Sequence, residues 1–225
     1  MKFRIVVSTR CVASAVFALV TTATASAQDG RRIIEVGGVL VSGSEQGAYE
    51  GVPYEANASY VGVWGGVRGG PFFLRGQYLK ATLSETAEMP QREVRAYEAG
   101  AGLFFVPEFR LDGAAFAREY QSVRGRQRWV GVKFGAGFQG VLWPGLVEAR
   151  AVGHYIPLIR SSVEEDKATL GWDGEVEVAL RHRRIPARFS IGYRVERLDS
   201  ARPPSRETVR KQRFSGLVFR LALSL

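Results

Sequence analysis

The chain of 225 residues is 46% hydrophobic and 24% charged, and 31 basic against 22 acidic residues give it a formal net charge of +9. Its one cysteine, Cys11, lies near the start, so the rest of the chain can form neither an intramolecular disulfide nor a thiolate metal site. Its two histidines lie far apart without spaced ligand partners, which excludes a recognisable zinc motif. We expect no metal and no cofactor.

Residues 1–27 have the layout of a secretory signal peptide. They contain three basic residues and no acidic one, an apolar stretch at 12–20, and the small residues Ala-Ser-Ala at 25–27. The apolar stretch is shorter than the ~20 residues that a membrane-spanning helix needs. A buried N-terminal helix over 5–20 is the alternative. We predict cleavage after residue 27, which leaves 28 basic (31 minus 3) and 22 acidic residues in an exported chain for which nucleic acid is not an expected partner.

Residues 28–225 have the length of one domain, and segments of alternating apolar and polar residues repeat along them. Helix signals are nearly absent, and clusters of Gly, Pro, Asn and Asp separate the segments. The predicted strands cover, in chain order, residues 31–42, 54–67, 71–83, 92–106, 108–122, 127–142, 146–159, 168–183, 186–198 and 207–225. The pattern predicts an all-β domain of ten strands, with eight or twelve as alternatives.

The connections between these strands alternate in length. The tight ones lie at 68–70, 107, 143–145 and 184–185, and the mostly longer, polar ones lie at 43–53, 84–91, 123–126, 160–167 and 199–206. Short turns at one end and longer loops at the other are typical of an antiparallel up-and-down transmembrane β-barrel. An even number of strands then places both termini at the short-turn end, on the periplasmic side.

Aromatic residues on the apolar face fall into two bands. The band predicted near the short turns contains Phe72, Phe105, Phe109, Phe189 and Phe219, and the band predicted near the long loops contains Tyr78, Tyr97, Tyr155, Trp172 and Tyr193. Rings at both interfaces form the aromatic girdles of outer-membrane barrels. Alternation alone would also fit a soluble sheet, but a soluble barrel has no physical reason to sort Phe to one rim and Tyr and Trp to the other.

With these bands the chain resembles the small bacterial outer-membrane β-barrel proteins as a class, over its whole predicted mature length. Such proteins end in a strand with an assembly signal, and Gly216, Phe219 and Leu221 have its spacing. Phe214 stands where a polar residue is expected, and the final Leu225 is not aromatic. The resemblance implies an outer-membrane location, insertion by the barrel assembly machinery, and a monomer in contact with outer-membrane lipids and lipopolysaccharide.

The opposite face of the predicted sheet is charged and forms the lumen of the barrel. We call eight of its residues the lumen charge cluster: Lys133, Glu148, Arg150, His154, Asp173, Glu175, Glu177 and Arg194. Isolated buried charges are prohibitive, so such a lumen must be paired throughout or partly wet. Inward glycines leave space beside the cluster: Gly100, Gly102, Gly131, Gly135, Gly137, Gly171, Gly192 and Gly216.

Two hairpins predict which charges face each other. A loop centred near residues 163–164 places His154 opposite Asp173 and Arg150 opposite Glu177. In the same way, a turn at 143–144 places Lys133 opposite His154, and Gln139 opposite Glu148. Opposite charges that face each other across strands stabilise a sheet by about 0.2–1 kcal/mol per pair. The cluster is therefore either a salt-bridge ladder or, because histidine titrates near neutrality, a functional constriction.

The function stays open between three classes. The first is a structural or interaction barrel with a closed lumen, the second is a narrow porin-like channel for ions or small polar solutes, and the third is an outer-membrane lipid- or peptide-processing enzyme. His154 with Asp173 is similar to half of the site of an outer-membrane protease, but no second pair is evident, so we expect no catalytic residues. A basic rim at the last loop suits lipopolysaccharide phosphates: Arg202, Arg206, Arg210, Lys211 and Arg213.

Overall fold

The protein is a closed barrel of ten antiparallel strands in which each strand pairs with its neighbours in the chain and β1 pairs with β10. The computed structural model describes residues 33–49, 52–85, 90–123, 125–161, 170–181, 186–199 and 211–225. The strands are β1 (Ile33–Tyr49), β2 (Val52–Gly69), β3 (Phe72–Leu83), β4 (Arg92–Val106), β5 (Phe109–Ser122), β6 (Gly125–Trp143), β7 (Val147–Ser161), β8 (Leu170–Arg181), β9 (Ala187–Asp199) and β10 (Lys211–Ser224). The prediction of an all-β, ten-stranded up-and-down barrel is confirmed. The predicted signal peptide lies outside the described residues, and within those residues no helix is long and apolar enough to cross a membrane.

The strands are strongly staggered around the barrel. From His154 in β7, successive cross-strand partners lead to Glu45 of β1 in one direction and to Ile33 of β1 in the other. These two positions differ by twelve residues, and for ten strands such a shear corresponds to a strand tilt of about 40°. Along the barrel axis, each residue therefore lies closer to the long-loop end than the residue it pairs with on the preceding strand.

Two predicted loops are wrong, because strands extend into them. β1 continues to Tyr49 and β2 begins at Val52, so the predicted loop at 43–53 is largely a projecting hairpin. Between β5 and β6 only two residues, 123 and 124, remain of the predicted loop at 123–126. The polar residues in 43–53 suggested a loop, but they include outward positions such as Ser44 that can face water on an extended strand.

The outer surface between the two ends is apolar. Val61 and Phe134 are exposed by 61% and 59%, and many other outward side chains of the described strands are aliphatic or aromatic. Phe72, Phe105, Phe109 and Phe189 lie at or near the short-turn ends of their strands, as predicted. Phe219 does not: it pairs with Ile191 and Leu40 in the middle of the sheet, because β10 continues five residues beyond it.

The second aromatic band lies nearer the long loops. Tyr78 and Tyr97 are cross-strand partners whose ring centroids are 5.1 Å apart, and Tyr155 pairs with Trp172 in the same way. Tyr193 completes the set on β9, with 46% of its surface exposed. The outward orientation predicted for these residues is confirmed.

Inside the barrel, the half near the long loops contains a cluster of buried apolar side chains that we call the apolar plug. A few polar side chains, such as Arg92, Arg118 and Gln212, are buried beside it. Tyr60 and Phe214 meet in it edge to face, with ring centroids 5.6 Å apart. Its members are at most 7% exposed: Val39, Val41, Tyr54, Ala56, Ala58, Tyr60, Leu79, Ala81, Leu83, Val94, Tyr120, Trp129, Ile156, Ile159, Leu198, Phe214 and Val218. The sequence predicted the charged interior but not this apolar half. Only the half near the short turns is mainly charged.

Candidate functional site

The charged half of the interior is centred on one cross-strand row. Asp112, Gly135, His154 and Asp173 are consecutive partners on β5, β6, β7 and β8. The Nδ1 of His154 lies 2.5 Å from an Asp173 oxygen, and its Nε2 lies 3.3 Å from Asp112. All four side-chain positions face inward, so the imidazole is held between two carboxylates.

Lysine and arginine side chains neutralise these two carboxylates from other strands. Lys133 Nζ lies 2.6 Å from Asp173 and 2.9 Å from Glu98, and Arg75 lies 2.8 Å from Asp112. Lys133 and Asp173 are at most 7% exposed. A buried charge without a partner is costly, so each of these groups depends on the others.

The predicted register of the β7–β8 hairpin is confirmed, but only one of its two ion pairs forms. His154 faces and contacts Asp173. Arg150 faces Glu177, yet Glu177 is bound instead by Arg188, at 2.6 Å, and by Arg220. Among the described residues, no carboxylate lies within ion-pair distance of Arg150.

The predicted register of the β6–β7 hairpin is wrong by two residues. His154 faces Gly135 rather than Lys133, and Gln139 faces Arg150 rather than Glu148. The turn is centred on Gly145, whose φ of 71° only glycine adopts readily, and the ladder contains two irregularities. Because the error is an even number of residues, the inward and outward faces are still correct.

Several ion pairs skip one strand, which cross-strand reasoning could not predict. Arg220 of β10 reaches Glu175 and Glu177 of β8, because the intervening β9 carries Gly192 at this height. A Cβ on Gly192 would lie 2.4 Å from a backbone oxygen of β8. The inward glycines therefore accommodate neighbouring strands and long side chains rather than an open passage.

The remaining predicted cluster members lie around this centre. Arg194 faces Glu175 in the ladder, but its ion pair is with Glu196, at 2.9 Å. Glu148 lies nearer the short-turn end, 3.2 Å from Arg181. The predicted cluster does not include several of these partners, although they carry inward parity: Arg75, Glu98, Asp112, Arg181, Arg188, Glu196 and Arg220.

A second polar group lies inside the apolar plug. Glu45 is fully buried and accepts hydrogen bonds from Tyr54 and Tyr60, at 3.0 and 2.7 Å. On the outer face of the same hairpin Ser44 donates to Glu55, so this part of the barrel lies beyond the apolar belt. Burial raises the pKa of Glu45 above its usual range, against the charge of Arg118 and the tyrosine hydrogen bonds, which lower it.

Two small cavities lie inside the described part of the barrel. A cavity of about 40 Å³ lies between the plug and the charged half, and one of about 90 Å³ lies among the charges around His154. Such volumes accommodate a few water molecules. A larger pocket, of about 300 Å³, lies at the short-turn end.

The central histidine contacts charged side chains. The hydrogen-bond partners of His154 among the described residues are Arg75, Asp112 and Asp173, and none of them carries a hydroxyl or thiol that the imidazole could deprotonate. In the same part of the chain no group of three or more His, Cys, Asp or Glu side chains could hold a metal ion. The arrangement can hold one proton between two carboxylates.

The predicted basic rim is only partly described. Arg202, Arg206, Arg210 and the side chain of Lys211 lie outside the described residues. Arg213 is exposed on the outer face of β10, near its long-loop end.

Two other cations, Lys80 and Arg95, lie at a similar height on the outer face of β3 and β4. Each lies two residues beyond a girdle tyrosine, and both contact Glu93. These two cations lower the pKa of the Glu93 carboxyl through hydrogen bonds.

Solved structures with a similar shape are bacterial outer-membrane barrels. The translocator domain of the autotransporter NalP from Neisseria meningitidis is 12% identical, with a TM-score of 0.47, over 94% of this chain and 97% of that one. An outer membrane channel from Pseudomonas putida F1 is 10% identical, with a TM-score of 0.38, over 89% and 97%. OmpT of Vibrio cholerae is 7% identical, with a TM-score of 0.35, over 76% and 61%. At such values these likenesses assign no function to this chain.

No protein-family model matches the chain, and no curated protein matches it significantly. The function proposed next therefore rests on the residues of this chain.

Proposed function

We propose that the protein is a bacterial outer-membrane β-barrel with a closed interior, which serves as a structural or interaction protein through its long-loop end. The observation that carries this proposal is the apolar plug, stacked on a paired charge network inside one barrel. The exposed apolar belt and its two aromatic bands favour lipid as the surroundings of the outer surface. A cleaved signal peptide at 1–27 would supply the export step.

A porin-like channel is the alternative, and the packing favours the closed form. Conduction needs a continuous water-filled path, whereas the cavity beside the plug measures about 40 Å³ and the one around His154 about 90 Å³. An enzyme is a third possibility with less support, since no serine, threonine or cysteine hydrogen-bonds to His154 in the described residues. We propose neither a catalytic nor a metal-dependent role.

Single-channel recording in planar bilayers tests the closed interior. We expect no steady conductance steps from the purified chain. A double variant, Tyr60→Ala with Phe214→Ala, removes two rings that meet in the plug, and we expect brief steps from it. Trp172→Ala, on the outer face, is the matched control and stays silent. Steady steps from the unaltered chain would contradict the proposal in favour of a pore.

We also propose that the outer surface contacts lipopolysaccharide phosphates just beyond the second aromatic band. Lys80 follows Tyr78 on the outer face of β3, and Arg95 lies at the corresponding place beyond Tyr97 on β4. Cations at this height meet phosphate groups, to which arginine offers two parallel hydrogen bonds. The double variant Lys80→Gln with Arg95→Gln should retain less lipopolysaccharide on purification, whereas Arg181→Gln at the opposite end should retain the normal amount.

Strand β10 is the proposed recognition element for the barrel assembly machinery. It pairs with β1 and so closes the barrel, with Leu221 outward and Gly216 inward. Phe214, at a position where a polar residue was expected, points inward and is buried in the plug. Its departure from the usual pattern therefore has a packing role. Deletion of the last five residues should leave the chain unassembled in the periplasm.

A further inference from the structure

The pocket at the short-turn end is lined by far more positive than negative charge. Six arginines but only two glutamates, Glu35 and Glu148, line its 300 Å³. Both glutamates are already engaged, since each lies within 4 Å of an arginine of β8 or β9. We call this pocket the arginine pocket. Its arginines are Arg68, Arg75, Arg110, Arg150, Arg181 and Arg188.

Three of these arginines have no carboxylate within ion-pair distance among the described residues: Arg68, Arg110 and Arg150. Arg110 is 95% buried, and its Nε and Nη2 make no hydrogen bond. A buried guanidinium with unused donors is expensive, because water no longer compensates the lost hydrogen bonds. Other interior cations lie within ion-pair distance of a carboxylate, among them Lys133, Arg188 and Arg220.

The orientation of two of the guanidinium groups is fixed by aromatic rings. Arg68 lies 4.0 Å from the centroid of the Phe104 ring, and Arg110 lies 5.1 Å from that of Phe73. The two rings contact each other, with centroids 5.3 Å apart. Stacking on a ring engages the face of a guanidinium and leaves its edge, which carries the N–H donors, available to a ligand. The pocket therefore holds preoriented donors.

We propose that the arginine pocket binds a small oxyanion with two or more negative charges, a phosphate or a polycarboxylate, through Arg110 and Arg150. The three arginines without a carboxylate partner in the described part of the chain, Arg68, Arg110 and Arg150, leave more than one positive charge for a ligand to balance. Arginine edges match the geometry of carboxylate and phosphate oxygens. The pocket opens at the short-turn end, so under the proposed outer-membrane location the anion comes from the periplasm.

Titration calorimetry on the purified full chain in an uncharged detergent tests this site. The probes are inorganic phosphate and citrate, and sodium chloride at matched ionic strength is the reference. We expect saturable binding of phosphate, citrate or both, and the preferred probe identifies the class of anion. The double variant Arg110→Gln with Arg150→Gln should bind at least tenfold more weakly, whereas Arg160→Gln, an exposed cation at the other end, should bind normally.

Stability without anion provides the second readout. Because Arg110 is buried without an anionic partner, Arg110→Gln should melt at or above the temperature of the unaltered chain when no anion is present, and should gain less from added phosphate or citrate. An unchanged or higher melting temperature without anion shows that the variant is folded. A smaller gain from added anion then reports the loss of the binding site. The proposal is overturned if neither probe exceeds the effect of matched sodium chloride, which would mean an ionic-strength effect only, or if the double variant binds as well as the unaltered chain.

Discussion

Gly135 lies directly opposite His154 in the β6–β7 ladder, and a Cβ on Gly135 would come within 2.4 Å of the imidazole ring. It would also come within 2.2 Å of the backbone oxygen of Gly153. The histidine can lie between Asp112 and Asp173 only because the strand beside it carries no side chain at that height. The glycine is therefore part of the charged centre.

A methyl group at this position should disrupt the centre. We expect Gly135→Ala to lower the stability of the folded barrel by about 1–3 kcal/mol, the usual cost of overpacking a close-packed interior. The urea midpoint of the heat-modifiable band on gels measures it. Gly153→Ala is the matched control, since the nearest atom to its Cβ is 3.9 Å away. Equal midpoints for the two variants would contradict the packing that we describe.

Lys133 is the cation shared by two carboxylates in the interior. Lys133→Met removes this charge while keeping most of the apolar length of the side chain, and it leaves Asp173 and Glu98 underneutralised. Breaking a buried pair from one side costs about 3–5 kcal/mol. Lys80→Met, which removes an exposed cation paired with Glu93, should change stability by less than about 1 kcal/mol. A wet, freely solvated lumen would instead make the two variants alike in urea unfolding.

Glu45 gives the plug a dependence on pH. Burial raises its pKa, so the folded state favours the protonated carboxyl and loses stability as the pH rises above the ordinary value of 4.5. Glu45→Gln lacks this ionisation, and we expect it to be more stable than the unaltered chain at pH 8 and to lose that advantage towards pH 5. Glu45→Ala, which removes the tyrosine partners' acceptor, should be destabilised at both values. An advantage of Glu45→Gln that does not change with pH would contradict the assigned direction.

The lipid-facing surface can be tested with a single charge. Ile191 is 43% exposed on the outer face of β9, midway between the aromatic bands. Ile191→Arg should destabilise the barrel in bilayers by about 2–4 kcal/mol, the cost of an arginine near the midplane of a membrane barrel. Val123→Arg, at a position 92% exposed between β5 and β6, should be neutral. A surface that faced water would tolerate both changes equally in unfolding experiments.

The alternation of side chains was enough to predict the barrel and its two faces. The inward or outward direction of a side chain depends only on the period of two along a strand. These directions are therefore correct even though the β6–β7 register is shifted, so that His154 faces Gly135 instead of Lys133. The turn centre was harder to predict because a left-handed glycine, Gly145, sets it rather than the Trp143-Pro144 pair.

The partners inside the barrel could be predicted only in part. His154 and Asp173 face each other and are in contact, as the hairpin suggested. Arg220 and Glu175 belong to strands that are not adjacent, and their contact depends on the missing side chain of Gly192. Parity alone did not predict the apolar plug, because Leu79, Leu198 and similar apolar residues alternate with charged ones at inward positions.

The measurement that tests the account most directly is fractionation of cells that express the full chain, with migration on gels before and after heating. We predict that the protein sediments with outer membranes, needs detergent for extraction, and migrates faster unheated than heated, as a closed transmembrane barrel does. A chain recovered from the periplasm without detergent would contradict the account, since an exposed apolar belt that includes Val61 and Phe134 would then face water.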